Sequence, residues 1–279
     1  MEMNRAMRDH GPPKVSREVI GLIPAAGHAT RISPLPCSKE LYPIGFRDVD
    51  GDHIVRPKVI CHYLLEKMRL AGITEAYIIL REGKWDIPAY LGDGALADMH
   101  LAYLMMNLPY GVPYTLDQAH AFVKDKLVAV GFPDVLLEPE DVYVRILAQQ
   151  QASGADVVLG LFPDDQPEKG DMVELDHAGR VRQIVIKTRD TELTHSWMIA
   201  VWTPAFTNFM HEYLGVVEKS EPLRTELFLG DVIQAAIENG LCVEGIPVSD
   251  SPPLDIGTPE DLVRAVNFLQ HGHTVESSA

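Results

Sequence analysis

Arg31 and Lys39 follow closely on a run of small residues, Pro24-Ala25-Ala26-Gly27-His28-Ala29-Thr30. Small side chains let backbone N–H groups approach a phosphate, and a guanidinium can fork onto its oxygens. The run suits the wrapping of a nucleoside triphosphate, with Ala25, Ala26, Gly27, His28, Ala29 and Thr30 as the cradle. Arg31 and Lys39 would be its cations. Two carboxylates complete the candidate site. Asp134 ends the run Val128-Ala129-Val130-Gly131-Phe132-Pro133-Asp134, and Asp255 opens the turn Asp255-Ile256-Gly257-Thr258. Two carboxylates from separate strand ends can hold Mg²⁺, which keeps several waters and takes phosphate oxygens as further ligands.

These residues need strands behind them. Residues 19–23 are a short apolar run of the kind that forms a buried parallel strand. The pattern predicts further strands over 76–80, 101–106, 127–130, 155–161, 197–202 and 243–246. Helices are expected over 57–71, opened by Pro57, over 115–126, capped by Thr115, and over 139–153, 204–214 and 226–239. A last helix follows Thr258 as N-cap. Residues 172–187 alternate about a short turn and predict a β-hairpin, and a smaller one is expected about Asp50-Gly51. Alternating strands and helices indicate an α/β fold, a doubly wound, mainly parallel Rossmann-like sheet with an antiparallel hairpin inserted. Ligands then sit beyond the carboxyl ends of the strands, where the loop, Asp134 and Asp255 all fall. The expected organisation is a flexible arm over 1–17, one domain over 18–270 and a tail over 271–279.

Composition narrows the function classes. The net charge of −16 argues against nucleic acid as a partner. The acidity is concentrated after Arg81, while the stretch carrying Arg31 and Lys39 is slightly basic. No apolar run reaches the ~20 residues of a membrane helix, and the N-terminus has no apolar signal core, so a cytoplasmic location is expected. Cys37, Cys61 and Cys242 are scattered and read as reduced thiols. The loop lacks the Gly-Lys-Ser/Thr of a P-loop and the GxGxxG of a dinucleotide site. Association into a homo-oligomer is left open.

The form IPAAG…TR…P…SKELYPI resembles the signature of the sugar-1-phosphate nucleotidyltransferases, and is most similar to the bacterial UTP–glucose-1-phosphate uridylyltransferases. Phe132-Pro133-Asp134-Val135 resembles their metal-aspartate segment, and Leu254-Asp255-Ile256-Gly257-Thr258-Pro259 that of the second metal aspartate. The resemblance spans roughly residues 18–265 in order. It implies transfer of a nucleotidyl group from an NTP to a sugar 1-phosphate or related phosphorylated small molecule, with Mg²⁺. It also implies that Lys187 contacts the acceptor phosphate. Several positions depart from the pattern. Ala29 replaces a glycine, Ile186 stands where a glutamate precedes the lysine, Thr188 replaces a proline and Met198 a glycine. Asp117-Gln118-Ala119-His120 replaces a glycine-containing segment. Ile186 and Met198 predict a smaller, less polar acceptor pocket, suited to a deoxygenated sugar or a small phosphorylated alcohol. The alternative is a catalytically impaired binding or regulatory protein on the same fold.

Overall fold

The computed structural model describes residues 18–48, 54–107, 111–220 and 226–272. The expected arm over 1–17, the turn at Asp50-Gly51 and the tail beyond 272 lie outside the described residues.

In chain order the first elements are β1 (Val19–Pro24), β2 (Pro43–Asp48), β3 (Val55–Val59), α1 (Ile60–Leu70), β4 (Glu75–Arg81), α2 (Asp86–Leu91) and β5 (His100–Met106). Then come α3 (Val112–Asp117), α4 (His120–Val123), β6 (Leu127–Val130), β7 (Val135–Leu136), α5 (Val142–Ser153), β8 (Val157–Pro163), β9 (Asp171–Leu175), β10 (Val181–Ile186) and β11 (His195–Trp202). The chain continues through α6 (Pro204–Ser220), α7 (Leu229–Glu238), β12 (Val243–Pro247), β13 (Leu254–Asp255) and α8 (Pro259–Gly272).

β1, β4, β5 and β6 pair in parallel, with β1 between β4 and β6. Their continuous apolar runs are those of strands covered on both faces. β11 lies antiparallel between β6 and β8, and β12 pairs parallel with β8. The sheet therefore runs one way except at β11 and β10, the β9–β10 hairpin joining it through Ser196 opposite Met172. One face packs Leu64, Leu65 and Met68 of α1 with Tyr143 and Ile146 of α5. The other packs Phe206, Met210 and Leu214 of α6 with Val232 and Ile233 of α7. A third cluster sets Ala265 of α8 against Ile44, Ile60, Leu136 and Ile256. No described helix is long and apolar enough to cross a membrane.

Two local expectations are corrected. Pro57 does not open α1; it sits in β3 opposite Phe46, and the helix begins at Ile60. The β2–β3 ribbon is a two-stranded sheet of its own, so proline there breaks no central ladder. The helix expected over 115–126 is two short helices, and Thr115 lies inside α3 rather than capping it. Pro113 starts α3 earlier, and the Thr115 hydroxyl donates back to the Gly111 carbonyl at 3.1 Å.

Candidate active site

β1 delivers the loop at the carboxyl edge of the sheet. Ala25 and Ala26 are buried, and the Ala25 N–H donates to the Ile79 carbonyl at 2.8 Å, which takes it out of the free donors. The open part of the cradle is therefore Gly27, His28 and Thr30, which are exposed. Ala29 adopts φ 54°, the left-handed conformation that a glycine takes without strain. An alanine there costs about 1–2 kcal/mol. Its carbonyl accepts from the Ser33 N–H at 3.0 Å and the Ser33 hydroxyl at 2.9 Å, so the turn is held regardless.

Lys39 is fixed from behind. The Asp86 carboxylate at the start of α2 accepts from the Ser38 N–H at 2.6 Å and the Ser38 hydroxyl at 2.7 Å. Burial works against ionisation of Asp86, yet the Ser38 donors hold its carboxyl below the usual range. Lys84 and Glu40 form an ion pair at 2.5 Å, with side chains only 4% and 3% exposed. Burial pushes Glu40 up and Lys84 down, each opposed by its partner.

Asp134 follows β6, where a Cβ on Gly131 would fall 2.1 Å from the Tyr143 hydroxyl. That hydroxyl donates to the Val130 carbonyl at 2.9 Å, pinning the strand end. β13 then pairs with β7, and the Ile256 N–H donates to the Asp134 carbonyl at 3.2 Å, so the ladder brings Asp255 beside Asp134. Lys39 forms an ion pair with Asp134, and Arg31 Nη2 lies 3.9 Å from Asp255 Oδ2. Gly257 permits the second approach, since a Cβ there would stand 2.7 Å from Asp255 Oδ2 and 2.9 Å from Arg31 Nη2. Arg31, Lys39, Asp134 and Asp255 thus converge.

The two carboxyls are shifted in opposite directions. Burial disfavours the Asp134 anion, but the Lys39 ammonium outweighs it and holds the carboxyl below its ordinary value. Lys39 is raised in return, the carboxylate prevailing over burial. Asp255 is pushed up to about 6 by burial and then by the Asp134 charge, with Lys39 and Arg31 only partly offsetting them. Its Oδ1 is buried with no hydrogen-bond partner. An orphaned carboxylate oxygen beside a second carboxylate fits a hard cation that takes oxygen ligands. Among the described residues no group of three or more His, Cys, Asp or Glu side chains gathers as a metal set. Two carboxylates with the remaining ligands from water and phosphate is the arrangement that suits Mg²⁺.

A cleft of about 250 Å³ opens between Gly27, His28, Lys39, Thr115, Phe132 and Asp134, with Glu226 at its rim. A second, of about 330 Å³, lies across Lys39 and is lined by Ser33, Ser38, Arg81 and Lys84.

Lys187 stands apart from the converging four. It ends β10 with φ 44°, and its Nζ lies 3.7 Å from the centre of the Phe228 ring, beside Asp171. Ile186 pairs directly with Asp171, so a carboxylate enters from β9 where β10 presents an apolar side chain. Met198 lines a cleft with Lys169, Pro253, Asp255 and Arg264. Ile186 thus has a carboxylate opposite it, and Met198 shares its cleft with Asp255. Asp117 and His120 are tied to α6, Asp117 to His211 at 3.0 Å and His120 to Asn208 at 3.0 Å. Sequence reasoning missed Glu40, Lys84, Asp86 and Asp171. Only Lys84 and Asp86, polar residues flanking Trp85, offered a local hint.

A family model described as nucleotidyl transferase matches residues 20–272. The chain belongs to the nucleotidyl transferase family. The span matched by this nucleotidyl transferase family takes in every candidate residue above, from Ala25 to Asp255. A low-salt glycan biosynthesis nucleotidyltransferase from Haloferax volcanii is 25% identical over 249 residues, covering 88% of this chain and 64% of that protein. A glucose-1-phosphate thymidylyltransferase from Streptomyces antibioticus is 26% identical over 257 residues, covering 91% of this chain and 65% of the relative. The chain thus spans just under two thirds of the length of these two relatives. A Bacillus anthracis crystal structure described as a glucose-1-phosphate thymidylyltransferase, with sucrose bound, superposes with a TM-score of 0.75. It is 18% identical and covers 90% of this chain and 95% of that one, a likeness of fold.

Proposed function

We propose that this chain transfers a nucleotidyl group from an NTP to a sugar 1-phosphate or similar phosphorylated small molecule, releasing pyrophosphate. The observation that carries this reading is the convergence of Arg31, Lys39, Asp134 and Asp255 at the open end of the β1 loop. The relatives' names point to the same reaction class and, in one case, to a thymidylyl group and glucose 1-phosphate.

An acceptor phosphate oxygen attacks the α-phosphorus, the bond to the β-phosphate oxygen breaks, and pyrophosphate leaves with the electron pair. Little covalent chemistry is asked of the protein, which holds two anions in line and offsets the charge that develops. Gly27, His28 and Thr30 present the open part of the cradle to the triphosphate. Arg31 and Lys39 bind its oxygens and remain beside the leaving group. The Glu40–Lys84 pair and the Ser38–Asp86 clamp keep Lys39 in place, so no reorganisation is needed as charge builds. Lys187, on the acceptor side, lessens the repulsion between the attacking phosphate and the triphosphate. Asp134 and Asp255 would hold Mg²⁺, which neutralises phosphate charge when bound.

The test is pyrophosphate release by the purified protein with Mg²⁺, each NTP being run against a panel of sugar 1-phosphates and phosphorylated alcohols. Release with at least one pair is expected, and the panel identifies base and acceptor. Nucleotide binding without release from any pair would replace this reading with the binding or regulatory one, which the strained Ala29 favours.

A further inference from the structure

The second cleft, of about 330 Å³, shares His28 and Lys39 with the first and continues past them to the end of β4. β4 runs beside β1, with Ile79 opposite Pro24 and the Ile79 carbonyl accepting from the Ala25 N–H. Two residues further on, Arg81 therefore comes level with the β1 loop. The chain turns there at once. The Lys84 N–H donates to the Arg81 carbonyl at 3.3 Å, and Gly83 between them takes φ 89°. That turn sets Arg81 and Lys84 in the wall of the same cleft.

The other polar groups of this wall are committed elsewhere. Lys39 pairs with Asp134, and Lys84 with Glu40. The Ser33 hydroxyl donates to the Ala29 carbonyl, and the Ser38 hydroxyl and N–H donate to the two oxygens of Asp86. The Cys37 thiol is pushed up by burial first, then by Asp86 and Glu40, so it stays protonated and repels no anion. Arg81 differs. Its Nη1 donates to the Glu82 carbonyl at 2.7 Å, while its Nε is buried without a hydrogen-bond partner. Among the described residues no carboxylate pairs with it. An enclosed donor left without an acceptor is costly, and a guanidinium fork matches the oxygens of a phosphate.

We propose that Arg81 binds the terminal phosphates of the triphosphate in this second cleft and holds pyrophosphate there after the transfer. The inference rests on the proposed transfer reaction and adds to it a cation from β4, outside the β1 loop. Lys39 and His28 line both clefts, which favours one ligand lying across them over an independent anion in the second. With the α-phosphorus beside Asp134 and Asp255, the β- and γ-phosphates extend over Lys39 to Arg81. The oxygen that leaves with the electron pair then belongs to a pyrophosphate that Arg81 already holds.

Calorimetric titration of the full chain, with Mg²⁺ present, tests this directly. The titrants are ATP, CTP, GTP, UTP and dTTP, the matching monophosphates, and inorganic pyrophosphate. In the parent, saturating pyrophosphate should weaken triphosphate binding at least about tenfold and leave monophosphate binding within about threefold. Arg81→Gln should weaken triphosphate and pyrophosphate at least about tenfold, with monophosphate affinity within about twofold of the parent. Arg81→Lys should recover little of that loss, since an ammonium cannot fork onto two oxygens. Unchanged triphosphate and pyrophosphate affinities in both variants overturn this inference and leave the nucleotide site standing. So does simultaneous binding of triphosphate and pyrophosphate by the parent, which would make the second cleft a separate anion site. An equal loss of monophosphate and triphosphate affinity, or loss of the folded state in both variants, would mark Arg81 as structural and overturn it too. A parent that binds none of the triphosphates defeats the transfer reading, and this inference with it.

Discussion

Asp255 is the residue at which fold and chemistry pull in opposite directions. Its carboxyl is pushed up to about 6 from an ordinary 3.8, by burial first and by Asp134 second. A raised acid favours the folded state when protonated. Its contribution is therefore greatest below the ordinary value and is lost as pH rises through about 6. Asp134 behaves oppositely: held low by Lys39, it stabilises above the ordinary value and loses that contribution as pH falls through the lowered one. Metal-free Asp255→Asn should consequently melt at or above the parent's temperature near pH 7.5, with a smaller gap between the two near about pH 4.5. Melts in a chelator at both pH values measure this; a variant clearly less stable than its parent at the higher pH would refute it. Adding Mg²⁺ should raise the parent's melting temperature and not the variant's. Arg31 is a simpler case, because its side chain is 63% exposed and contributes little to the fold. Arg31→Ala should lower turnover by roughly 10²–10³, the usual cost of removing one preorganised donor from developing charge. Arg31→Lys should recover little of it, since an ammonium cannot fork onto two phosphate oxygens. Turnover within about threefold of the parent in Arg31→Ala would assign the residue no role in the reaction.

The ends of β1, β6 and β13 place the candidate site, and Glu40 with Lys84 braces one of its corners. Both side chains of that pair are almost wholly enclosed, so removing one leaves the other charged and alone. Glu40→Ala should cost about 3–5 kcal/mol, a fall in melting temperature of roughly 5–15 °C for a domain of this size. Replacing both by methionine should restore most of the stability while leaving turnover low, because Lys39 is then no longer braced. Equal recovery of stability and turnover would show that the pair only fills space. The ends of these strands were legible in the sequence because an apolar run followed by a turn and a carboxylate is a local pattern. The bracing pair was not, since its members lie 44 residues apart and meet only across the closed fold. Asp171 was hidden for a related reason: its place opposite Ile186 depends on the hairpin register, which alternation alone does not set. The start of α1 was misjudged because proline is equally at home in the first turn of a helix and in a two-stranded ribbon.

Across the whole molecule, the end of β6 that leads to Asp134 and the β9–β10 hairpin are joined through one strand. β11 pairs with β6 at Ala200 opposite Val130, close to the Asp134 end, and with β9 at Ser196 opposite Met172, next to Asp171. Ile199, Ala200, Val201 and Trp202 of that strand are fully buried, so it has no slack with which to let the halves part. The sheet should therefore unfold as one cooperative unit, and a ligand held at the β1 loop should stabilise the β9–β10 hairpin as well. A nucleotide at a hundred times its dissociation constant adds about 2.7 kcal/mol to the folded state. For a domain of this size that is a rise of roughly 5–10 °C in melting temperature. Calorimetry should show a single transition before and after nucleotide and Mg²⁺ are added, with van't Hoff and calorimetric enthalpies in agreement. Two transitions, of which only one moves with nucleotide, would mean that the β9–β10 hairpin folds apart from the β1 loop. In that case β11 would not be the mechanical link between the hairpin and the β1 loop.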